Sequence, residues 1–377
     1  MRKTFLYRLY PSTLQRRSMN QTLEECRWLY NRLLEERKLA WEVADVSLSL
    51  YSQHKRLPVL KAERPFLATV HSQVLQNVAL RIDLAMKAFF RRVRAGEDPG
   101  YPRFRGQGRY DSFCYPQAPS GCQLQGDRLV LSKIGPVKVK LHRPLEGTPK
   151  TVCIRRSATG KWYATFSCEM ETTPLPPLDN AVGIDVGLNA FAVLSTGEHI
   201  ENPRFFRQEE RVLARAQRRL SKEAKGTAKR RKRKKVVARV HERVGNRRRD
   251  FAHQHSRRIV NQHQVIAVED LQVNRMVHNH CLAKSIMDAA WSQFAACLSY
   301  KAENAGRSFI AVNPAYTTQT CSRCGHRQVM PLSERLYSCV CCGLQLDRDH
   351  NASLNIRALG LQSLGLALEA PGFSRGE

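Results

Sequence analysis

Five cysteines fall between residues 321 and 342, and four of them have the spacing of metal ligands. Cys321 and Cys324 form one CxxC pair, Cys339 and Cys342 form a second, and 14 residues separate the pairs. Four thiolates on two tight turns complete the tetrahedral shell of a closed, structural Zn²⁺ site, so we predict one such ion here. Disulfides and chance clustering are the alternatives. Cys341 could replace Cys342, but the glycine after Cys342 favours Cys342, because glycine permits the positive φ of such a turn.

Four acidic residues stand where metal-assisted hydrolysis could take place. Asp185 lies inside the apolar run Val-Gly-Ile-Asp-Val, Glu269 ends the run Val-Ile-Ala-Val-Glu, and Asp347 and Asp349 precede a predicted helix. A carboxylate in a buried strand is costly unless something compensates its charge, and a divalent cation does so. Oxygen ligands favour Mg²⁺ or Mn²⁺, and two such ions suit phosphodiester cleavage. Taken singly, each carboxylate could instead be a helix cap or an ion-pair partner.

The elements that would position these carboxylates alternate between strands and helices. The predicted elements are strands at 181–187, 190–195, 264–271 and 308–312 and a helix at 285–305. A basic insert follows the first two strands, and a further helix begins near Asp349. This order predicts an RNase H-like fold, in which the strand ends that carry Asp185 and Glu269 come together.

The N-terminal half has another pattern. A strand is predicted at 4–10, helices at 13–38 and 65–94, and short strands between 110 and 170, while the proline-rich segment 172–178 is the clearest domain boundary.

Seven cysteines are scattered singly along the chain. We expect them to be buried, reduced thiols: Cys26, Cys114, Cys122, Cys153, Cys168, Cys281 and Cys297.

The charge of the chain narrows the class of partner. Its 377 residues include 62 lysines and arginines against 33 acidic residues, a formal net charge of +29. This excess indicates a nucleic-acid partner and argues against a small-molecule enzyme or an acidic binding module. A hydrophobic fraction of 42% argues against a disordered basic tail. No apolar run approaches the roughly 20 residues of a membrane helix, and no signal peptide is evident, so we expect a cytoplasmic protein without membrane contact.

Two segments concentrate basic residues. Residues 204–258 contain 22 lysines and arginines against five acidic residues, a net +17, and a thin apolar stripe there predicts a helical hairpin with a basic outer face. Residues 96–108 interleave aromatic and basic side chains, which suits backbone contact with base stacking. An ordinary solvated surface is the alternative for both segments. The candidate nucleic-acid-binding residues in them are Arg103, Arg105, Arg230, Arg231, Arg233, Arg247 and Arg248.

Six motifs together resemble those of the TnpB proteins of bacterial insertion sequences, which are related to the type V CRISPR effectors. The N-terminal half holds LYP and FF…YPRFRG, which alone are weak signals. The remaining motifs are highly specific in their order and spacing: GIDVGLNAFAVLSTG, VIAVEDL, TTQTCSRCG and CVCCG followed by DRDHNASLNI. The resemblance spans roughly residues 2–360.

This resemblance implies an enzyme, a RuvC-type endonuclease guided by an RNA from the transposon end. It would cut double-stranded DNA beside a short transposon-adjacent motif. The family pattern makes Asp185, Glu269 and Asp349 the three catalytic acids, which would hold two Mg²⁺ or Mn²⁺ ions, with Asp347 as a neighbour. The four cysteines would hold the zinc of a target-nucleic-acid-binding insert.

The family pattern also implies a domain organisation and specific nucleic-acid contacts. Gln76 and Asn77 would face the adjacent motif, and we expect a monomer on the RNA in the bacterial nucleoid. Two alternatives stay open, a DNA transposase with the same acidic triad and an RNA-guided repressor that does not cut. The expected fold is a multidomain α/β protein with these parts: a β-barrel wedge domain (1–10 and 110–175), a helical recognition domain (11–109), a RuvC nuclease domain (178–313 and 346–362), a zinc-binding insert (314–345) and a mobile tail (363–377).

Overall fold

A computed structural model describes residues 2–172, 174–331 and 334–365. The chain divides into two compact units, residues 1–171 and residues 172–377, and the division falls at the start of the proline-rich segment. Within the described ranges, no helix has both the length and the apolar character needed to cross a membrane. The predicted mobile tail lies outside the described residues from position 366 onward.

The first unit is built on one sheet. In chain order its elements are β1 (Arg2–Tyr10), α1 (Thr13–Ala44), α2 (Leu50–Glu63), a 3₁₀ turn (Pro65–Thr69), α3 (Ser72–Arg94), β2 (Ser112–Tyr115), α4 (Ala118–Gly121), β3 (Cys122–Gln125), β4 (Arg128–Leu131), β5 (Gly135–Lys140), β6 (Thr148–Arg156) and β7 (Trp162–Glu169). Its seven strands are antiparallel, in the order β2-β6-β7-β1-β5-β4-β3. The alternating residues Phe5, Tyr7 and Leu9 of β1 are buried, which confirms the predicted N-terminal strand and explains its place inside the sheet.

The helical part of this unit has three helices where the sequence pattern predicts two. A capping box of Ser12 and Gln15 starts α1, which continues past the predicted end at residue 38. The prediction of a helix from residue 65 is wrong at its start. Arg64 is held out of the helical region before Pro65, and the 3₁₀ turn separates α2 from α3. The sequence pattern misses α2, which contains Pro58 and has a short buried face.

The second unit carries the predicted carboxylates. In chain order its elements are β8 (Ala181–Val186), β9 (Ala190–Leu194), β10 (His199–Glu201), α5 (Phe205–Ser221), α6 (Ala228–Gln262), β11 (Val265–Glu269), α7 (Val273–Met276), α8 (His280–Ala289), α9 (Trp291–Ala305), β12 (Ser308–Val312), β13 (Leu336–Ser338), β14 (Gln345–Asp347) and α10 (Arg348–Ser363). The main sheet has the order β10-β9-β8-β11-β12. The pairs β10–β9 and β9–β8 are antiparallel, whereas β8–β11 and β11–β12 are parallel. This is the RNase H-like arrangement that the order of elements predicts.

Two helical predictions in this unit have different outcomes. The basic segment folds into the predicted helical hairpin, formed by α5 and α6 between β10 and β11. The single helix predicted over 285–305 is wrong, because the chain breaks at Ala290, where φ is 58°. The break lets Ile286 of α8 and Trp291 of α9 both enter the main core of the unit.

Close packing of α10 on the sheet brings the last acidic motif to the first. A Cβ at Gly183 on β8 would lie 2.0 Å from the carbonyl oxygen of Ser353, so only glycine permits this approach of helix to strand. Ile356 of α10 is fully buried together with Ala267 of β11. The first turn of α10, which contains Asp349, therefore lies near the end of β8.

Two parts of the prediction about the scattered cysteines are wrong: Cys281 is exposed and not buried, and one pair is not reduced. Cys114 on β2 lies opposite Cys153 on β6, and the two form a disulfide. Residues 39 positions apart become neighbours only through strand pairing, which the spacing does not reveal. The other five scattered cysteines are free thiols; Cys281 is exposed, and the buried ones are Cys26, Cys122, Cys168 and Cys297.

Candidate metal centres and nucleic-acid surface

Asp185 lies on the central strand of the RNase H-like sheet, one residue before β8 ends. Its relative exposure is 8%. Burial raises the pKa of its carboxyl group well above the ordinary value, and the negative charges of Glu269 and Asp349 raise it further. The Arg348 guanidinium acts in the opposite direction. A buried carboxylate among other carboxylates lacks a full counter-charge, and a bound cation would supply one.

Glu269 ends β11, the strand next to β8. Val268 pairs with Ile184 in parallel register, so the residues that follow them, Glu269 and Asp185, come to the same edge of the sheet. Burial raises the pKa of Glu269. A hydrogen bond from the Thr317 hydroxyl, 2.6 Å from Oε1, acts against this rise.

The two aspartates at the start of α10 have different roles. Asp347 is the N-cap residue, and its Oδ1 accepts a hydrogen bond from the backbone N–H of His350 at 2.9 Å. Asp349 lies in the first turn, where its Oδ1 is 3.2 Å from the Arg348 guanidinium and its Oδ2 is 3.5 Å from that of Arg335. The capping alternative thus applies to Asp347, and Asp349 takes part in ion pairs.

The three candidate catalytic carboxylates interact electrostatically without converging on a point. In the described part of the chain, only the cysteine group brings three or more potential ligand atoms within 4.8 Å of one another. Arg348 and Arg335 supply part of the positive charge near Asp349. An oxygen donor set with a buried carboxylate and few direct ligands fits Mg²⁺ or Mn²⁺, because Mg²⁺ usually keeps several of its waters.

The four predicted zinc ligands do converge. The Sγ atoms lie 3.6 Å apart between Cys321 and Cys342 and 3.6 Å apart between Cys324 and Cys339. A tetrahedral shell with Zn–S bonds of about 2.3 Å has edges of about 3.8 Å, so the thiols are already spaced for the ion. Cys341 is exposed and outside the group, which favours Cys342 as the fourth ligand.

A small scaffold holds these thiols. The strands β13 and β14 pair as an antiparallel hairpin, and Tyr337 of β13 is fully buried with Cys321 and Cys339. The Tyr337 hydroxyl donates to the backbone oxygen of Gln319 at 3.2 Å. We call residues 314–331 and 334–347 the zinc module.

The candidate nucleic-acid residues of the first unit are spread over a helix and a loop. Gln76 on α3 is exposed, and the Asn77 side chain accepts a hydrogen bond from Arg81 at 3.1 Å. Arg103 is exposed, and the Arg105 guanidinium lies 5.5 Å from the centre of the Tyr30 ring.

The five candidate arginines of the helical hairpin differ in the partners that their side chains have. Arg231 is exposed, whereas Arg248 is bound by Asp288, with 2.7 Å between Nη2 and Oδ1. Asp288 also accepts hydrogen bonds from the first backbone N–H groups of α5, so this ion pair fixes the start of the hairpin. The remaining three have partners at the hairpin surface: Arg230 with backbone oxygens of Leu220 and Glu223, Arg233 with Glu223, and Arg247 with Gln208 and Glu209.

Sequence reasoning misses three residues that contact the carboxylates. Arg348 stands between the two aspartates of the DRD motif. This position indicates an ion pair, because a cation flanked by acidic residues commonly pairs with one of them. Thr317 precedes the first cysteine by four residues, and Arg335 lies on the loop before β13. Only the fold brings these two to Glu269 and Asp349.

The sheet order, the acidic edge and the four-cysteine module place this unit in the class of RNase H-like folds that carry a cysteine-rich insert. The structure aligns with the solved structure titled "Structure of the mini-RNA-guided endonuclease CRISPR-Cas_phi3", with a TM-score of 0.54 and 8% identity over 98% of this chain and 94% of that one. At this identity the likeness concerns the fold alone.

Sequence comparisons identify the family. Residues 165–280 match the family described as "Probable transposase", residues 291–356 match "Cas12f1-like, TNB domain", and residues 1–44 match a family described as "Helix-turn-helix domain". A Streptomyces pristinaespiralis protein named "Putative RNA-guided DNA endonuclease" is 36% identical over 96% of this chain and 90% of its own length. The Escherichia coli K12 protein "Putative RNA-guided DNA endonuclease InsQ" is 31% identical over 95% and 92%. The chain belongs to the TnpB family, as the motifs predict.

Proposed function

We propose that this protein is an RNA-guided DNA endonuclease whose nuclease centre is formed by Asp185, Glu269 and Asp349. The observation that carries the proposal is the acidic edge of the RNase H-like sheet, where Asp185 is buried and the charges of Glu269 and Asp349 act on it. The relatives named as RNA-guided DNA endonucleases match nearly the whole chain and support the same activity.

The three carboxylates would hold two Mg²⁺ or Mn²⁺ ions. Bound divalent ions of this kind lower the pKa of a coordinated water and stabilise the leaving oxygen of a phosphodiester. Asp185 fixes the inner end of the site because its strand lies in the centre of the sheet. The hydrogen bond from Thr317 sets the orientation of Glu269, and Arg348 and Arg335 hold the Asp349 carboxylate in ion pairs.

The basic surfaces would hold the nucleic acids. Exposed arginines such as Arg231 on α6 are free of the internal role that Arg248 has, so they suit contact with phosphates of an RNA or a heteroduplex. Pairing between guide and target would supply sequence specificity. Gln76 and Asn77 on α3, with Arg103 and Arg105 nearby in the sequence, are the proposed contacts to the adjacent DNA motif and its backbone.

The finer parts of the proposal follow the family pattern. Residues 1–10 and 110–175 would be the wedge domain, 11–109 the recognition domain, 178–313 with 346–362 the nuclease domain, and 314–345 the zinc-binding insert that contacts target nucleic acid. The guide would come from the end of an insertion sequence. The protein would act in the bacterial cytoplasm as a monomer on its RNA.

The experiment is to purify the protein from cells that carry its native locus, sequence the bound RNA, and replace the variable end of that RNA. We expect cleavage of a plasmid that matches the new guide and no cleavage of a plasmid that matches the old one. Equal cutting or joining of DNA without RNA would contradict the proposal and favour the transposase alternative. Tight guide-directed binding without cleavage in Mg²⁺ would favour the repressor.

A further inference from the structure

Thr317 contacts the Glu269 carboxylate from inside the protein. Its relative exposure is 3%, and its Oγ1 lies 2.6 Å from Oε1 of Glu269 and 3.2 Å from the carbonyl oxygen of Pro314. A hydroxyl has one proton, and the shorter contact to the charged acceptor takes it. The hydrogen bond engages one carboxylate oxygen and fixes the direction in which the second oxygen points.

The position of Thr317 follows from the strand beside Glu269. The strand β12 ends at Val312, directly opposite Glu269 in the sheet. The chain then turns back, with Asn313 accepting a hydrogen bond from the backbone N–H of Ala315 and with Tyr316 at φ 69°. A non-glycine residue at such a φ is strained by roughly 1–3 kcal/mol, so neighbouring contacts must hold the turn.

Two asparagines on one face of α10 supply those contacts. Asn355 donates to the backbone oxygens of Thr317 at 2.8 Å and Thr320 at 2.7 Å. Asn351, four residues earlier and fully buried, donates to the same Thr320 oxygen at 2.8 Å. Its Oδ1 accepts from the backbone N–H of Ser322 at 2.9 Å, inside the first CxxC turn.

We propose that Thr317 is a positioning residue for the Glu269 carboxylate, and that Asn351 and Asn355 hold Thr317 in place by tying its turn to α10 and to the first zinc turn. The role of Glu269 as a metal ligand rests on the proposed function. A ligand whose orientation is set by an outer hydrogen bond binds its ion more tightly, because less ordering is needed on binding. The zinc module thereby contributes to the nuclease centre through Thr317.

The test compares one substitution that removes the Thr317 hydroxyl with two controls, one that keeps this hydroxyl and one that removes the hydroxyl of the neighbouring threonine. Thr317→Val removes the hydroxyl and keeps the shape, Thr317→Ser keeps the hydroxyl, and Thr318→Val makes the same exchange at the next residue. Mn²⁺ binding to the RNA-bound protein is measured by electron paramagnetic resonance, with zinc content and the unfolding midpoint recorded for each variant. We expect Thr317→Val to weaken Mn²⁺ binding roughly 10- to 100-fold, as loss of an outer-shell partner does. Thr317→Ser and Thr318→Val should bind as the wild type does.

Two results would overturn the inference: unchanged Mn²⁺ affinity in Thr317→Val, or an equal loss in Thr317→Ser. Should Thr317→Val not fold, Thr317→Ala replaces it in the same comparison, since it removes the hydroxyl without placing a methyl group against the carboxylate.

Asp185→Asn separates this inference from the proposed function. If the wild type binds no Mn²⁺ that depends on Asp185, the proposed function fails and the inference fails with it. If that binding exists and Thr317→Val retains it, only the inference fails.

Discussion

The second unit contains two groups of potential metal ligands that differ in how completely the fold assembles them. The four thiols of the zinc module lie within 4.8 Å of one another. The three carboxylates interact through their charges but do not form such a group, and one of them is engaged with two arginines. The thiols come from two turns of one short segment, whereas the carboxylates come from two strands and a helix that are far apart in sequence.

This difference is what the two proposed metal sites would require. A structural zinc ion stabilises the segment that binds it, so its ligands gain from local preorganisation. Like-charged carboxylates repel one another and stay apart unless cations neutralise them. Under the proposed function, bound cations would offset the repulsion among the three carboxylates, whereas the four thiols are grouped by their own short segment.

The largest expected effect is on cleavage. Asp185→Asn replaces the buried carboxylate at the centre of the sheet by an amide of nearly the same shape. We expect guide-directed cleavage to fall by at least roughly 10²- to 10³-fold, the cost of removing one strong electrostatic group from an active site. Guide-RNA binding, measured by filter retention, should stay unchanged. Cleavage near the wild-type rate would show that Asp185 is not a ligand of the nuclease centre.

The zinc site offers a matched pair of neighbouring cysteines. Cys342→Ser should reduce the zinc content from about one ion per chain to near zero, because a closed site needs all four thiolates. Cys341→Ser should leave it unchanged, since Cys341 is exposed and outside the group. Elemental analysis of both purified variants decides the matter. The opposite pattern would make Cys341 the fourth ligand.

The basic hairpin contains arginines that are exposed, such as Arg231, and arginines that pair with acidic residues of the protein, such as Arg248. Arg248→Gln breaks a half-buried pair with Asp288 and should lower the free energy of unfolding by roughly 1.5–3 kcal/mol, as measured by urea denaturation. Arg231→Gln should leave stability unchanged, weaken RNA binding, and reduce the salt-dependence slope by about one. Equal RNA affinities of Arg231→Gln and the wild type would remove Arg231 from the proposed surface.

The smallest expected effect concerns the pH dependence of stability in the absence of added Mg²⁺ or Mn²⁺. The pKa of Asp185 is raised in the folded state, so its contribution to stability is complete below the ordinary value of 3.8 and is lost as pH rises through the folded-state pKa. Thermal unfolding followed against pH in buffer without added Mg²⁺ or Mn²⁺ should show this loss in the wild type. The loss of stability should be smaller in Asp185→Asn. Identical pH profiles of the two proteins would contradict a raised pKa of Asp185 in the folded state.

Some of this molecule could be predicted from its sequence because the signals are local. The CxxC spacing predicts the cysteine group, and apolar runs that contain Asp185 or end at Glu269 predict strands of the RNase H-like sheet. Other features depend on long-range packing. The disulfide of Cys114 and Cys153 needs the pairing of β2 with β6, and the contact of Thr317 with Glu269 needs the turn after β12. Whether an arginine such as Arg248 points outward depends on a partner, Asp288, that is 40 residues away.

We propose that the acidic edge is a divalent-metal centre separate from the four-cysteine site. Crystals of the RNA- and DNA-bound protein soaked in Mn²⁺ would test it directly by anomalous scattering at the manganese and zinc edges. We expect two manganese peaks within bonding distance of Asp185, Glu269 and Asp349, and one zinc peak among the four cysteines. The absence of manganese at the carboxylates, with the zinc peak present, would contradict it.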